Sequence, residues 1–399
     1  MTRTILRYAL LVLLVAALGT LAGWYVFLRS QTKATQSLDS ARGFTEGAVS
    51  PFSTGAGGSD YTVASSAPAT TQKPPQLWHI ATAPAAGIGF ATTTTGVRAR
   101  YAERATGYIF DADPASSQTA RLTNTLTPKT YEASFAGGDR VLERGLDASG
   151  DVTTFAGYIL NGTTTSVSGV DLPRGIESVA ANPVAQQVVY LAAQAGTEEV
   201  ISANWDGSKP KNLFGLTVPG WRLSLLSDGR IILAQKAVDG LLGYAYVLKG
   251  GALTEVAPAL PGLTVLPRSN SDAMLYGLSS GAGPELFVQL SATTSAVQLP
   301  IHTVADKCVW APGPSPVAYC AVPQHVPTGG FLDAWYRGEL HTSDIWWKVD
   351  ARTGQAQQIF SPPSNVSLDV VDPVMDDTGL YVAFLNNTDR SPWLLRLEQ

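Results

Sequence analysis

The chain has 399 residues and a mass of 42.0 kDa, enough for two average domains or one large repeat domain. Only 15% of it is charged, with 38 Gly and 25 Pro, a composition that suits an all-β protein with a weakly charged polar surface. A net charge of -5 and a pI near 5.4 exclude the basic footprint that nucleic acid requires, and two cysteines make neither a disulfide scaffold nor a four-ligand zinc site.

The first predicted element is an uncharged run of 21 residues from Tyr8 to Leu28. As a helix it spans roughly 30 Å, one bilayer core. Arg3 and Arg7 precede it, Arg29 and Lys33 follow, and Trp24 and Tyr25 suit a headgroup belt. Its length and the lack of an Ala-x-Ala-like site favour an uncleaved, single-span signal anchor (residues 1–30) over a cleaved signal. No cysteine follows that could carry a lipid. The flanking charges are nearly balanced and lean toward an N-terminus inside the cell. Gly19 and Gly23 form a small-xxx-small pair that permits helix dimerisation, although ordinary glycine usage in a membrane helix is the simpler account.

Residues 31–75 are rich in Ser, Thr, Ala, Gly and Pro, with no sustained apolar periodicity. This predicts a disordered tether, about 35–40 Å end to end as a flexible coil.

From residue 76 to 399 the sequence predicts short strands separated by turn signals. One strand type recurs at Val97, Arg140, Gln187, Arg230, Ala273, Pro316 and Leu380, at intervals of 43, 47, 43, 43, 43 and 64. A period in the forties with several strands per unit indicates a β-propeller of four-stranded antiparallel blades. The count is seven, within a range of six to eight because the second unit is loosely patterned. The last unit stops at Gln399 one strand short, while "QLWHI" at 76–80 is an orphan strand. Pairing Leu77–Ile80 with "PWLLRLE" completes the last blade and closes the ring.

The segments "VWAPGPSPVAYC", "SLLSDGRIILAQ" and "DIWWKVDARTGQAQQIF" resemble those of TolB-type, WD-repeat-like propellers. Only the sixth unit keeps Trp310-x-Pro312, and only the fourth keeps Ser-Asp-Gly. The resemblance covers about residues 76–399. It implies the fold and a tendency to bind proteins or small glycans through loops on one face, and it carries over no catalytic residues.

Cys308 and Cys320 fall on the first two strands of the sixth unit, symmetric about the Gly313-Pro314-Ser315 turn. Opposed residues in such a hairpin have Cα atoms about 4.5–5.5 Å apart, which permits a disulfide. Its formation agrees with an exported domain; two buried free thiols are the alternative. After Cys320 the unit inserts the loop 323–343, with His325, Phe331, Asp333, Trp335, Tyr336, Arg337, Glu339 and His341, followed by Asp344. Three readings stand for it: a structural cover over the channel, a recognition loop, or a metal or catalytic site built from the histidines and carboxylates. His79 and His302 are isolated and read as structural.

No HExxH, Ser-x-x-Lys, Gly-x-Ser-x-Gly or P-loop occurs, and nothing calls for a cofactor. The sequence therefore predicts a single-pass membrane protein with an extracytoplasmic propeller that binds a protein or a surface polysaccharide. An envelope-polymer hydrolase or lyase and a structural spacer are the alternatives.

Overall fold

The computed structural model describes residues 74–397, apart from 161–164, 182–185, 195 and 326–328. The predicted span with Gly19 and Gly23, and the tether up to residue 73, lie outside the described residues. Among the described residues no helix is long and apolar enough to cross a membrane.

Seven four-stranded antiparallel sheets follow one another along the chain. Blades 1 to 6 occupy residues 85–121, 130–171, 176–216, 221–261, 264–298 and 308–360. Blade 7 takes three strands from the C-terminal part, Val370–Met375, Tyr381–Asn386 and Pro392–Arg396, and its outermost strand from Leu77–His79. The register is Leu77 opposite Leu395, Trp78 opposite Leu394 and His79 opposite Trp393, so the orphan strand closes the ring as its position predicts. The loosely patterned second unit is a complete blade.

Period-2 alternation explains how the blades hold together. Each inner strand turns alternate side chains to opposite neighbours, so its apolar side chains at either parity are buried between two blades, while the outermost strands stay largely exposed. Blades 7 and 1 meet over Ala383, Leu385 and Leu394 on one side and Ile88, Ala99 and Tyr101 on the other. Blades 6 and 7 meet at Trp346 and Phe384, both fully buried, with ring centroids 5.5 Å apart. Burial of each such side chain contributes about 1.5–3 kcal/mol. The indole of Trp310 donates to the Leu266 carbonyl at 3.0 Å, and that of Trp205 to the Gly157 carbonyl at 3.2 Å, so two tryptophans also tie neighbouring blades by hydrogen bonds.

The first strand of each blade lies innermost, and first strands pack on one another between blades 1 and 2, 3 and 4, 6 and 7, and 7 and 1. The approach is closest between blades 1 and 2, where a Cβ on Gly87 would lie 1.7 Å from the Ala133 carbonyl oxygen. Only glycine fits there. The connections from second to third strand, and from each blade to the next, emerge on one face, hereafter the upper face.

Candidate functional site

Among the described residues, the longest connection on the upper face is the one between the second and third strands of blade 6, from residue 324 to 343. Gly329 and Gly330, at φ +57° and +68°, turn the chain into a short helix, α1 (Phe331–Tyr336). Phe331, Leu332 and Trp335 project inward and are no more than 1% exposed, packed with Ala237 of blade 4, Val304 ahead of blade 6 and Val371 of blade 7. The helix thus lies across the inner ends of blades on both sides of the axis. Two aspartates dock it on blade 4. The Asp333 amide donates to Asp239 Oδ2 at 3.1 Å, and the Asp239 amide donates to Asp333 Oδ1 at 3.2 Å. The Ser279 hydroxyl of blade 5 donates to Asp239 Oδ1 at 2.6 Å.

Beneath the helix is a buried polar knot. Lys307 ends a 3₁₀ turn (Ala305–Lys307) that leads into Cys308, and its side chain is inaccessible to solvent. Its ammonium donates to Asp344 Oδ2 at 2.6 Å, Asp369 Oδ1 at 2.7 Å, Thr342 Oγ1 at 2.9 Å and the Val370 carbonyl at 3.2 Å. It also lies 4.7 Å from the centre of the Trp335 ring, whose indole N–H donates to Asp369 Oδ1 at 2.8 Å. His341 Nδ1 sits 3.1 Å from Asp369 Oδ2. Burial raises the Asp344 carboxyl above its ordinary range. Burial acts in the same direction on Asp369, but Lys307 and the donors from Trp335 and Thr342 outweigh it and hold that carboxyl low.

Beside the helix, a cavity of about 460 Å³ opens at the axis. It is lined by the innermost strands of blades 4 and 5, the turn before blade 6, α1 and the first strand of blade 7. Its charges are already matched. Arg222 lies 3.5 Å from Asp306 and 4.8 Å from the centre of the Tyr336 ring, the Tyr336 hydroxyl donates to Asp306, and Arg390 lies 3.2 Å from Asp372. Burial and the neighbouring Asp306 push the Tyr336 phenol well above its usual range, so it remains a donor. Such a mouth offers paired guanidinium, carboxylate and phenol groups to a ligand that has hydrogen-bonding groups of both kinds.

The predicted loop residues therefore divide into two sets. Phe331, Asp333, Trp335 and Asp344 point inward and hold the loop. Tyr336 lines the mouth, and His325, Arg337, Glu339 and His341 stand exposed. Arg337 and Glu339 pair with each other at 2.8 Å on the surface. His325 and His341 are not brought together with the carboxylates as a ligand set. Among the described residues no group of three or more His, Cys, Asp or Glu is arranged to hold a metal ion. Outside the loop, His79 stacks on Trp393 with centroids 4.1 Å apart, and His302 Nδ1 lies 3.1 Å from the Pro284 carbonyl. Sequence reasoning missed Lys307, Asp369, Asp306, Arg222 and Arg390. Each lies on a connection or an inner strand, and no local pattern marks its role.

Cys308 and Cys320 are joined by a disulfide, with Cα atoms 4.1 Å apart and the two residues directly opposed in register. Both are at most 2% exposed, within the apolar layer between blades 5 and 6. The bond therefore anchors the residue that follows Asp306 and Lys307, the two groups on which α1 rests.

Around this centre several large apolar side chains stand exposed on the upper face. Val238, Leu241 and Leu242 stand exposed on or beside the second-to-third connection of blade 4, with Tyr244 next to them and Val218 on the connection before blade 4. Leu126, Leu146 and Val152 continue the same face over blades 1 and 2.

Fold and site together define a seven-bladed β-propeller with a helix-capped axial mouth. Its similarity to solved structures is of that kind. An oligogalacturonate lyase from Vibrio parahaemolyticus matches with a TM-score of 0.53 at 10% identity, covering 81% of this chain and 94% of that one. The WD40 domain of Neurospora crassa Pan2 matches with a TM-score of 0.50 at 11% identity, covering 79% and 90%. TolB from Acinetobacter baumannii matches with a TM-score of 0.42 at 11% identity, covering 78% and 79%. At such identities the likeness is one of fold. No protein-family model matches the chain, and no curated protein matches it in sequence.

Proposed function

We propose that the protein is a non-enzymatic binding module, anchored in the cell membrane through residues 8–28, whose extracytoplasmic propeller engages another protein through its upper face. The observation that carries this reading is the exposed crest of Val238, Leu241, Leu242 and Tyr244 beside α1. Leu241 is 63% exposed and Leu242 56% exposed, at adjacent positions. Contiguous exposed apolar groups with a polar rim are the usual mark of a protein-binding surface. The rim here is the Arg337–Glu339 pair with the matched charges of the axial mouth. A buried disulfide agrees with an oxidising compartment, and the uncharged run at 8–28 agrees with membrane attachment.

Photo-crosslinking in intact membranes tests the reading. A crosslinker placed at Leu241 in the full-length chain is expected to give a discrete protein adduct, while one at Thr95 on the opposite face gives none. Adducts to surface polysaccharide would transfer the reading to a polymer partner. Identical products from both positions, or none from Leu241, would remove the upper face as the binding surface.

A further inference from the structure

A second cavity, of about 430 Å³, lies at the top of blade 2, separate from the axial mouth. Its wall includes Thr127, Lys129, Glu143, Asp147, Phe155 and Asp171. Glu143 is the unusual member. It sits on the second strand of the blade (Arg140–Leu146), is 3% exposed, and neither of its carboxylate oxygens has a hydrogen-bond partner. The other buried carboxylates among the described residues do have partners. Asp344 and Asp369 hold Lys307, Asp376 accepts the amides of its own turn, and Glu198 Oε1 accepts the Gly220 amide. The cations near Glu143 are engaged elsewhere or face solvent. Arg144 pairs with Glu132 at 2.8 Å, Arg174 with Asp147 at 2.8 Å, and Lys129 is exposed.

A buried carboxylate without a donor carries a large desolvation cost that a ligand cation removes. We propose that this cavity binds a small organic cation bearing a primary ammonium or guanidinium group, held by Glu143. Two idle oxygens call for a ligand with several N–H donors, which a quaternary ammonium lacks. The Phe155 ring supplies an apolar and cation-attracting wall, and Asp171 adds negative charge at the rim. A Cβ on Gly145 would lie 3.2 Å from the Lys129 carbonyl, so glycine there keeps the backbone close and the space open. The volume suits a small molecule. Burial pushes the Glu143 carboxyl up to about 7, and the Thr127 side chain, near it but without hydrogen-bond geometry, offsets only part of the rise. An ammonium partner would draw it back down.

The test uses the full-length chain with n-butylamine and agmatine as probes, and tetramethylammonium and butyramide as controls. At pH 8 both probes are expected to raise the melting temperature in a concentration-dependent way, and both controls to leave it unchanged. Affinity should fall roughly 30-fold between pH 8 and pH 5.5 as the carboxylate protonates. Glu143→Gln should abolish the response. Because that variant could alter the fold, carboxyl carbon NMR of the wild-type protein provides a second reading, in which n-butylamine moves the Glu143 titration to lower pH. The proposal is overturned if Glu143→Gln responds like wild type, if butyramide acts like butylamine, or if the Glu143 titration does not move. Binding by a lysine-containing peptide but by neither free amine would overturn it as well, in favour of a protein ligand.

Discussion

The ammonium of Lys307 lies 2.7 Å from Asp369 Oδ1, and the same oxygen accepts the indole N–H of Trp335 at 2.8 Å. Two connections and a helix from different parts of the chain are thereby joined at one buried atom. Lys307→Met would leave Asp344 and Asp369 buried without their counter-ion. The expected loss is about 3–5 kcal/mol of unfolding free energy, measured by urea denaturation. Adding Asp344→Asn and Asp369→Asn should restore part of it, and a triple variant no more stable than the single one would contradict the ion-pair account.

The two sets of loop residues should behave differently. Trp335→Ala removes a fully buried ring and a donor to Asp369, and should cost about 3–5 kcal/mol. Arg337→Ala and Glu339→Ala touch only an exposed pair and should each leave the melting temperature close to wild type. Thermal unfolding of the three variants checks this. Equal losses would mean that the outer pair also holds the loop.

Reduction should weaken the protein at blade 6. Closing a loop of about a dozen residues contributes about 3 kcal/mol by constraining the unfolded chain, so Cys308→Ser/Cys320→Ser should lose about that much. Peptide mapping of the full-length protein under non-reducing conditions should recover the two cysteines in one crosslinked fragment. Free thiols at both positions would remove the bond and its role beneath α1.

Stability should depend on pH through Glu143. Its folded value of about 7 lies above its unfolded value, so the contribution favours the native state below the unfolded value and is lost as pH rises through 7. Glu143→Gln should therefore exceed wild type by roughly 3 kcal/mol at pH 8 and match it near pH 4. Paired urea titrations at the two pH values read this directly, and an offset that does not change with pH would argue against a buried ionisable group. Asp369 acts with the opposite sign. Its lowered value stabilises the fold at neutral pH, and that contribution is lost on acidification through its folded value.

The apolar crest should be separable from stability. Leu241→Asp/Leu242→Asp alters side chains that are already largely in water, so the melting temperature should remain close to wild type. Crosslinking from a neighbouring upper-face position such as Val238 should be lost. Unchanged adducts would place the partner elsewhere.

Local pattern in this chain determined a great deal. Strand alternation and the 43-residue spacing announce the blades, the orphan "QLWHI" announces the closure, and the symmetric placement of Cys308 and Cys320 announces their pairing. These features are legible because hairpin register and strand period depend on near neighbours along the chain. The ring decided the rest. It brought Lys307 to Asp344 and Asp369, 37 and 62 residues away, and left Glu143 facing a cavity without a donor. It also turned Phe331 and Trp335 inward, while Arg337 and Glu339 stayed in solvent. A lone charge in a sequence looks the same whether it ends in water, in an ion pair or at a cavity wall. Its desolvation and its partner are properties of the closed ring, and they exist only once distant blades have met.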